Sequence, residues 1–331
     1  MEVAVKQPPA AAQQRFVIDD PSKVGEARRA AQALASFEFS AEVAGKVAIV
    51  ATELATNILR HAGTGELLVQ ALAAEDGALI ELLALDKGPG MADIAACLRD
   101  GYSTGGTSGT GLGAVRRLAS EFDIHSQPGE GTVVMARFGA KPPLEYGAIN
   151  VALEGEIDCG DGWAVEQSEG VSAVMIADGL GHGTFAAEAA RVAITSFRGD
   201  PFAPPQEILT RTNGLMSKTR GGAVACARLE DGKLSYAGFG NVAGVVLTQD
   251  SSQGLVSHNG TLGMSQRRQQ QFEYRYSPGS LLVMHSDGIS ARWELKKRPD
   301  LLRCHAAIIA AAIYRDHARG TDDSTIVVLR P

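Results

Sequence analysis

The hexapeptide Asp178-Gly179-Leu180-Gly181-His182-Gly183 constrains the fold more strongly than any other stretch. The apolar residues 172–177 before it predict a short buried strand, and the alanine-rich residues 184–197 after it predict a helix. The three glycines of the turn allow close backbone approach to a ligand. An aspartate at such a strand end suits a hard divalent cation, although a single acidic glycine-rich turn is more often only a turn.

Three further acidic turns strengthen the prediction of a metal site. They contain Asp161, Asp287 and the pair Asp322-Asp323, and each lies beside a strand-like run. Four such turns would bring carboxylates to one end of a sheet. An all-oxygen set of ligands selects Mg²⁺ or Mn²⁺, whereas zinc would require histidine and cysteine. The sequence leaves open whether Asp322 or Asp323 is the ligand.

Composition restricts the class of protein. The 331 residues are sufficient for two domains, and 45% hydrophobic with 21% charged residues predicts packed globular structure. The net charge of −7 argues against a nucleic-acid partner. Four cysteines without a C-x-x-C pair indicate neither a disulfide framework nor a zinc site, and favour a reducing compartment. Without a long apolar run we expect no membrane span and a cytoplasmic location.

The first half carries a second set of motifs. Glu53 and Asn57 lie four residues apart on a predicted helix with Ser40 as its N-cap, so they can hold a water and Mg²⁺ beside a triphosphate. For any isolated E-x-x-x-N motif, the favoured interpretation is a helix-capping or solvent-exposed pair without a role in binding or catalysis. A predicted strand ends at Asp86-Lys87-Gly88-Pro89-Gly90. The glycine-rich residues 101–113 then lead into a helix, whose N-terminus is a ready anion site.

In this order and spacing the motifs resemble the GHKL ATP-binding fold, and most closely the small serine kinases of the RsbT, RsbW and SpoIIAB type. The stretches 53–58 and 111–126 carry the resemblance to the RsbT branch. It implies bound ATP with Mg²⁺, a Mg²⁺ ligand in Asn57, an adenine contact from Asp86 and a base in Glu53 that activates a partner's serine. It also implies a nucleotide pocket and lid shaped by Gly88, Gly90, Gly109, Gly111 and Gly113.

Paired prolines at 142–143 mark a stiff linker between two domains. We predict a tail over residues 1–14, the ATP-binding domain over 15–139, a linker over 140–145 and a second domain over 146–331. The fold class is α/β (α+β): an N-terminal Bergerat α/β sandwich, followed by strands and helical pairs that suggest layered sheets.

The second domain resembles the SpoIIE and RsbX branch of the PPM serine/threonine phosphatases, because all four acidic turns occur in the family's order. The resemblance implies an α-β-β-α sandwich with two Mg²⁺ or Mn²⁺ ions. Asp178 would bridge them, Asp161 and the Gly179 carbonyl would serve one, and Asp287 and Asp322 the other. A metal-activated water would attack the phosphorus. A role for His182 in protonating the leaving oxygen stays open, since its position differs from that of the usual catalytic histidine.

Both resemblances together imply a phosphatase that acts on a phosphorylated STAS-domain or stressosome-type partner, in partner switching that controls a sigma factor or another output. The first domain would be a protein-serine kinase. The alternative is a non-catalytic, ATP-dependent binding element of the anti-sigma type that regulates the phosphatase. A scaffold with two inactive sites is a third interpretation, which the complete motifs disfavour.

Overall fold

A computed structural model describes residues 13–74, 77–99, 111–248, 251–264, 269–277 and 279–331. The chain forms two compact units. The first contains the residues up to Pro143 together with Arg303–Arg315, and the second contains Leu144–Leu302 and Asp316–Pro331. The domain limits drawn from the sequence stay a prediction.

The first unit is built on a five-stranded antiparallel sheet. Its strands are β1 (Gln14–Ile18), β2 (Gly65–Ala74), β3 (Gly77–Asp86), β4 (Glu121–Gln127) and β5 (Gly131–Gly139), in the order β1-β2-β3-β5-β4. Its helices are α1 (Pro21–Glu38), α2 (Ala41–Asn57), α3 (Ile94–Cys97) and α4 (Gly111–Leu118). Alanines of α1 and the apolar stripe of α2 form one core with the sheet.

Helix α2 begins and ends where its sequence dictates. The Ser40 side chain accepts a hydrogen bond from the Val43 N–H at 3.4 Å, which confirms the predicted N-cap. Of the predicted stripe, Val47, Val50, Leu54 and Ile58 are buried. After Asn57 the chain makes one π-helical turn over residues 58–62. Such turns are frequent at functional sites, and this one directly follows two predicted site residues.

A buried ion pair connects neighbouring strands of the first sheet. Arg137 on β5 donates from Nε and Nη2 to Oε2 of Glu81 on β3, at 2.7 Å in both cases. Their side chains are 1% and 0% exposed. The other Glu81 oxygen accepts from Gln70 at 2.7 Å, and Glu121 lies 3.2 Å from Arg137 Nη1. Because both charges are desolvated, each depends on the other.

The segment Arg303–Arg315 belongs to the first unit although it follows most of the second in sequence. The sequence pattern predicts one helix over about residues 301–317, but the structure has a 3₁₀ turn at Leu301–Arg303 followed by helix α7 (Ala306–His317). His305 separates them, because its Nδ1 accepts from the Ala307 N–H at 3.0 Å while its own N–H donates to Asp123 at 2.7 Å. The break is therefore a side-chain cap.

The second unit contains two five-stranded antiparallel sheets. Strands of the first are β7 (Asp161–Ser168), β8 (Val171–Gly179), β9 (Gly222–Glu230), β10 (Lys233–Phe239) and β13 (Phe272–Arg275), in the order β13-β10-β9-β8-β7. Strands of the second are β6 (Glu145–Val151), β11 (Ala243–Leu247), β12 (Ser252–Gly254), β14 (Leu281–His285) and β15 (Ser324–Arg330), in the order β12-β11-β14-β15-β6. Helices α5 (Thr184–Gly199) and α6 (Pro205–Met216) pack on the first sheet.

The strand–turn–helix prediction around Asp178 is confirmed by β8 and α5, and β14 is the strand-like run before Asp287. The dipeptide Asp231-Gly232, which predicts a hairpin turn, joins β9 to β10 with φ of 49° at Asp231 and 73° at Gly232. Within the described part of the chain, none of the helices has the length and apolar character that crossing a bilayer requires. All four cysteines carry free thiols.

The buried pair of Glu81 and Arg137 generates a stability prediction. We expect Glu81→Ala to lower the free energy of unfolding by about 3–5 kcal/mol, since Arg137 would remain buried without its main counter-ion. Urea unfolding followed by far-UV circular dichroism measures the change. Glu42→Ala is the matched control, because Glu42 pairs with Lys46 on the exposed face of α2 and should leave the midpoint unchanged. Equal effects of the two substitutions would contradict the interpretation.

Candidate metal and nucleotide sites

Strand pairing brings two of the predicted metal ligands together. In the antiparallel pair of β7 and β8, Asp161 lies directly opposite Asp178. The Gly179 N–H donates to the Gly160 carbonyl at 3.0 Å, which holds the two strand ends in this register. Like charges directly opposite on neighbouring strands are destabilising unless something neutralises them.

The electrostatics of this pair show the same conflict. Burial, and next the charge of Asp161, raises the pKa of Asp178 to about 9. Burial raises the pKa of Asp161 to about 7, against hydrogen bonds from Ser286 and Thr325 that lower it. Oδ2 of Asp161 is buried and has no hydrogen-bond partner in the described part of the chain. A buried carboxylate oxygen without a donor fits a bound cation.

Two glycines permit this close packing. A Cβ on Gly179 would lie 2.1 Å from the Ala186 carbonyl oxygen, at the start of α5. A Cβ on Gly222, which pairs with Gly179 across β8 and β9, would lie 2.2 Å from the Asp178 carbonyl oxygen. The glycine following Asp178 is therefore a packing requirement as well as a predicted source of a carbonyl ligand.

The other two acidic turns follow β14 and precede β15 in the second sheet. The charges of Asp287 and Asp322 also raise the pKa of Asp178, so all four carboxylates interact. Asn241 Nδ2 donates to Oδ2 of Asp287 at 2.5 Å. Sequence reasoning missed Asn241, because an asparagine after glycine beside a strand is an ordinary turn residue. The sequence feature that could have indicated Asn241 is its position in the short connection between β10 and β11.

The two neighbouring aspartates at the start of β15 have different surroundings. Asp323 is 2% exposed, and its carboxylate accepts from the Leu153 N–H at 2.8 Å and from the Gly160 N–H at 2.9 Å. It therefore fixes the loop that carries Asp161. Asp322 accepts only the local N–H of Asp323 among its hydrogen bonds, at 2.9 Å, and is partly exposed.

Within the described ranges, no three His, Cys, Asp or Glu side chains form a ready cage for a metal ion. The second metal predicted at Asp178, Asp287 and Asp322 therefore stays a prediction.

His182 is engaged with an acidic residue of the loop before β7. Its Nδ1 lies 2.6 Å from Oε1 of Glu156, and its side chain is 57% exposed. Thr184, the first residue of α5, donates to the neighbouring Asp158 at 3.0 Å. This exposed contact with Glu156 orients His182 from outside the four acidic turns, and its catalytic role stays a prediction.

In the first unit, α2 and the start of α4 bring three predicted nucleotide-site residues together. A Cβ on Gly111 would lie 3.4 Å from Glu53 Oε2 and 3.5 Å from Asn57 Oδ1. Nδ2 of Asn57 is buried and has no hydrogen-bond partner among the residues that the structure describes. The first turn of a helix thus faces a carboxylate and an unsatisfied amide, an arrangement that fits a phosphate group with its cation. Gly113 is buried in the same turn, and Gly109 lies outside the described residues.

Asp86 ends β3 in a pocket that glycines make possible. Its Oδ1 accepts from the Gly88 N–H at 2.8 Å, and burial raises its pKa. A Cβ on Gly90, where φ is 69°, would overlap the Gln127 carbonyl at 1.9 Å. The pocket therefore presents a half-buried carboxylate, as recognition of an amino group requires.

Comparison with known proteins gives two family matches. Residues 17–138 match the histidine kinase-like ATPase domain, and residues 168–331 match stage II sporulation protein E (SpoIIE). The serine/threonine-protein kinase RsbT of Bacillus subtilis (strain 168) is 38% identical over 91 residues, which cover 28% of this chain and 68% of RsbT.

Two solved structures are similar as well. The first belongs to the bacterial stressosome, which is described as a modular system that has been adapted to control secondary messenger signalling. It is 30% identical in sequence to this chain and superposes with a TM-score of 0.54. The match covers 56% of this chain and 99% of that one. RsbX in complex with magnesium has 19% identity and a TM-score of 0.52, over 58% of this chain and 97% of RsbX. The second likeness shows the fold.

These findings confirm the α/β class, the histidine kinase-like ATPase domain at the N-terminus and the PPM-type sheet domain that follows it. The chain therefore belongs to the RsbT-like family of histidine kinase-like ATPase proteins, with a SpoIIE-type PPM phosphatase domain joined to it.

Proposed function

We propose that the second domain hydrolyses phosphoserine or phosphothreonine in a regulatory protein, with Mg²⁺ or Mn²⁺ as cofactor. The observation that carries the proposal is the cross-strand pair of Asp161 and Asp178, with its raised pKa values and an unpartnered buried oxygen. A structural core would replace such a pair by apolar residues. Two opposed carboxylates are tolerable where divalent cations neutralise them.

Each acidic residue has a role in this proposal. Asp178, Asp161 and the Gly179 carbonyl would hold one ion, and Asp178, Asp287 and Asp322 would hold the other. The free side of Asp322 supports its choice over Asp323, whose two oxygens already accept backbone N–H groups. Asn241 orients Asp287 through its amide hydrogen bond.

The protein groups around the ions position the reaction. When bound, the two ions would activate a water and neutralise charge on the phosphoryl oxygens. Asp178 stands at the end of β8, and pairing with β7 and β9 holds its backbone in position. Asp323 holds the loop of Gly160 in place without meeting the substrate.

We further propose that the first domain binds ATP with Mg²⁺ and transfers its γ-phosphate to a serine of the same partner. The convergence of Glu53, Asn57 and Gly111 supports this proposal, with Asn57 as the Mg²⁺ ligand and Glu53 as the base. Asp86 would accept from the adenine amino group, and Gly88, Gly90, Gly109, Gly111 and Gly113 would shape the pocket. The stressosome relative supports a STAS-domain partner, and control of a sigma factor is part of the same proposal.

Substitution of the bridging carboxylate tests the phosphatase. We expect Asp178→Ala to lower Mn²⁺-dependent kcat on p-nitrophenyl phosphate by about 10³-fold or more, because both ions lose a ligand. Asp231→Asn is the matched control in the same unit, since asparagine tolerates the left-handed turn at that position. Its activity should equal the wild type. Full activity of Asp178→Ala would show that the metal site is elsewhere.

The raised carboxyl pKa values predict how stability depends on pH. Between an unfolded pKa near 4 and the folded values of about 7 and 9, the folded state holds more protons than the unfolded state. Without metal, stability should therefore fall as pH rises through this window, and Asp178→Asn should flatten the fall. Saturating Mn²⁺ should raise Tm more at pH 8 than at pH 6, because protons compete with the cation.

Differential scanning fluorimetry in EDTA and in Mn²⁺ measures these changes. Asp178→Asn should unfold at a higher temperature than the wild type in EDTA at pH 8 but lose most of the Mn²⁺-induced shift. A wild-type Tm that ignores both Mn²⁺ and pH over 6–8 would contradict the assignment.

The kinase proposal predicts that Glu53→Gln abolishes transfer while ATP binding persists, and that Asp86→Asn weakens ATP binding by about 10-fold or more. Calorimetry measures binding, and labelled ATP with a STAS protein measures transfer. Glu42→Gln, on the exposed face of the same helix, serves as control. ATP binding by the wild type without transfer would overturn the kinase and support the anti-sigma-type binding element.

A further inference from the structure

Arg220 lies in the turn between α6 and β9, which is fixed against the Asp178 turn. The Gly221 N–H donates to Thr219 Oγ1 at 3.0 Å, and the Gly221 carbonyl accepts from the Leu180 N–H at 2.9 Å. The backbone of Gly221, directly after Arg220, is therefore hydrogen-bonded to Leu180, which lies two positions after Asp178. The position of the arginine relative to the acidic site is set by main-chain hydrogen bonds.

The side chain of Arg220 extends over the same turn. Its guanidinium carbon lies 4.8 Å from the centroid of the Phe185 ring. Its Nη1 lies 3.4 Å from the place that a Cβ on Gly181 would occupy. The Gly181 carbonyl in turn lies 3.3 Å from the Cβ position of Gly160, the residue before Asp161. The cation thus sits at the rim of the loops that carry the opposed carboxylates.

Among the described residues the guanidinium makes no ion pair, although it lies near the turn that follows Asp178. Within the described ranges, no carboxylate lies within salt-bridge distance of Arg220, which is exposed. Other arginines of the second unit have such partners: Arg198 pairs with Glu166 and Arg228 with Glu230. Stacking on an aromatic ring occupies the face of a guanidinium and leaves its N–H edge free.

We propose that Arg220 binds the phosphoryl oxygens of the substrate and that Phe185 is its positioning residue. The proposal rests on the phosphatase function proposed above. A guanidinium edge matches two oxygens of a phosphate monoester dianion, and the resulting charge-assisted pair is among the stronger hydrogen-bonded contacts. Arg220 carries no proton in the reaction, so its contribution is to substrate and product binding.

Inorganic phosphate is the direct probe, because its binding requires no turnover. We expect calorimetric titration of the Mg²⁺-loaded full chain to give a Kd about 10-fold or more higher for Arg220→Ala than for the wild type. Arg220→Lys should fall between them, since an ammonium retains the charge but not the fork. Lys218→Ala removes the same charge from the same exposed turn and should leave the Kd unchanged.

Kinetic measurements distinguish a contact of Arg220 with the phosphoryl group from a contact with the rest of the substrate protein. With p-nitrophenyl phosphate, Arg220→Ala should raise KM about 10-fold and leave kcat within about 3-fold of the wild type. A similar rise should occur with a phosphoserine protein. A rise confined to the protein substrate would overturn the proposal, because Arg220 would then contact the partner's chain instead of the phosphoryl group.

Phe185 provides a separate test of positioning. Phe185→Leu keeps an apolar side chain but removes the ring, and should raise the phosphate Kd by a few-fold, whereas Phe185→Tyr should restore it. Equal phosphate affinity of the wild type, Arg220→Ala and Lys218→Ala would overturn the assignment of Arg220, even with hydrolysis intact. A wild type without hydrolysis would instead overturn the phosphatase proposal, and the phosphate titration would still decide the role of Arg220.

Discussion

Repulsion between Asp161 and Asp178 is the interaction on which the second unit depends. The register of β7 and β8 places the two carboxylates opposite each other, and the neighbouring glycines allow the backbone to pack closely around them. Asp323 adds a third acidic side chain behind the loop. A fold that confines like charges in this way stores electrostatic free energy that a divalent cation can release. Burial is the main cause of the raised pKa values of Asp161 and Asp178, and the neighbouring carboxylates raise them further.

The first unit also contains a buried polar group that suggests a ligand, the side-chain amide of Asn57. Its core and strand pairs are well satisfied, as the contacts of Glu81 and Arg137 show. Nδ2 of Asn57 is nevertheless buried without a partner among the described residues, close to the start of α4. An unsatisfied buried polar atom beside other predicted ligand residues indicates a ligand in both units. The two sites thus share a physical signature, although one would bind cations between carboxylates and the other a nucleotide at a helix N-terminus.

The sequence predicted those features that depend on neighbours along the chain. The strand, turn and helix around Asp178, the cap at Ser40 and the hairpin turn at Asp231 are each encoded within a few residues. Features formed by residues distant in sequence were not accessible. Asn241 contacts Asp287 because β11 pairs with β14, and no local sequence pattern predicts that pairing. The membership of Arg303–Arg315 in the first unit likewise depends on tertiary packing.

Arg137 and Arg220 illustrate why a guanidinium needs structural context before it can be assigned a role. Arg137 is buried and its N–H groups meet carboxylates, so its function is complete within the fold. Arg220 is supported by an aromatic ring and has no carboxylate beside it in the described structure, so its hydrogen-bonding capacity is directed outward. In a chain with a net charge of −7, an arginine at an acidic rim would normally pair with a neighbour. Binding of an oxyanion from the substrate would explain why Arg220 has no carboxylate partner in the described structure.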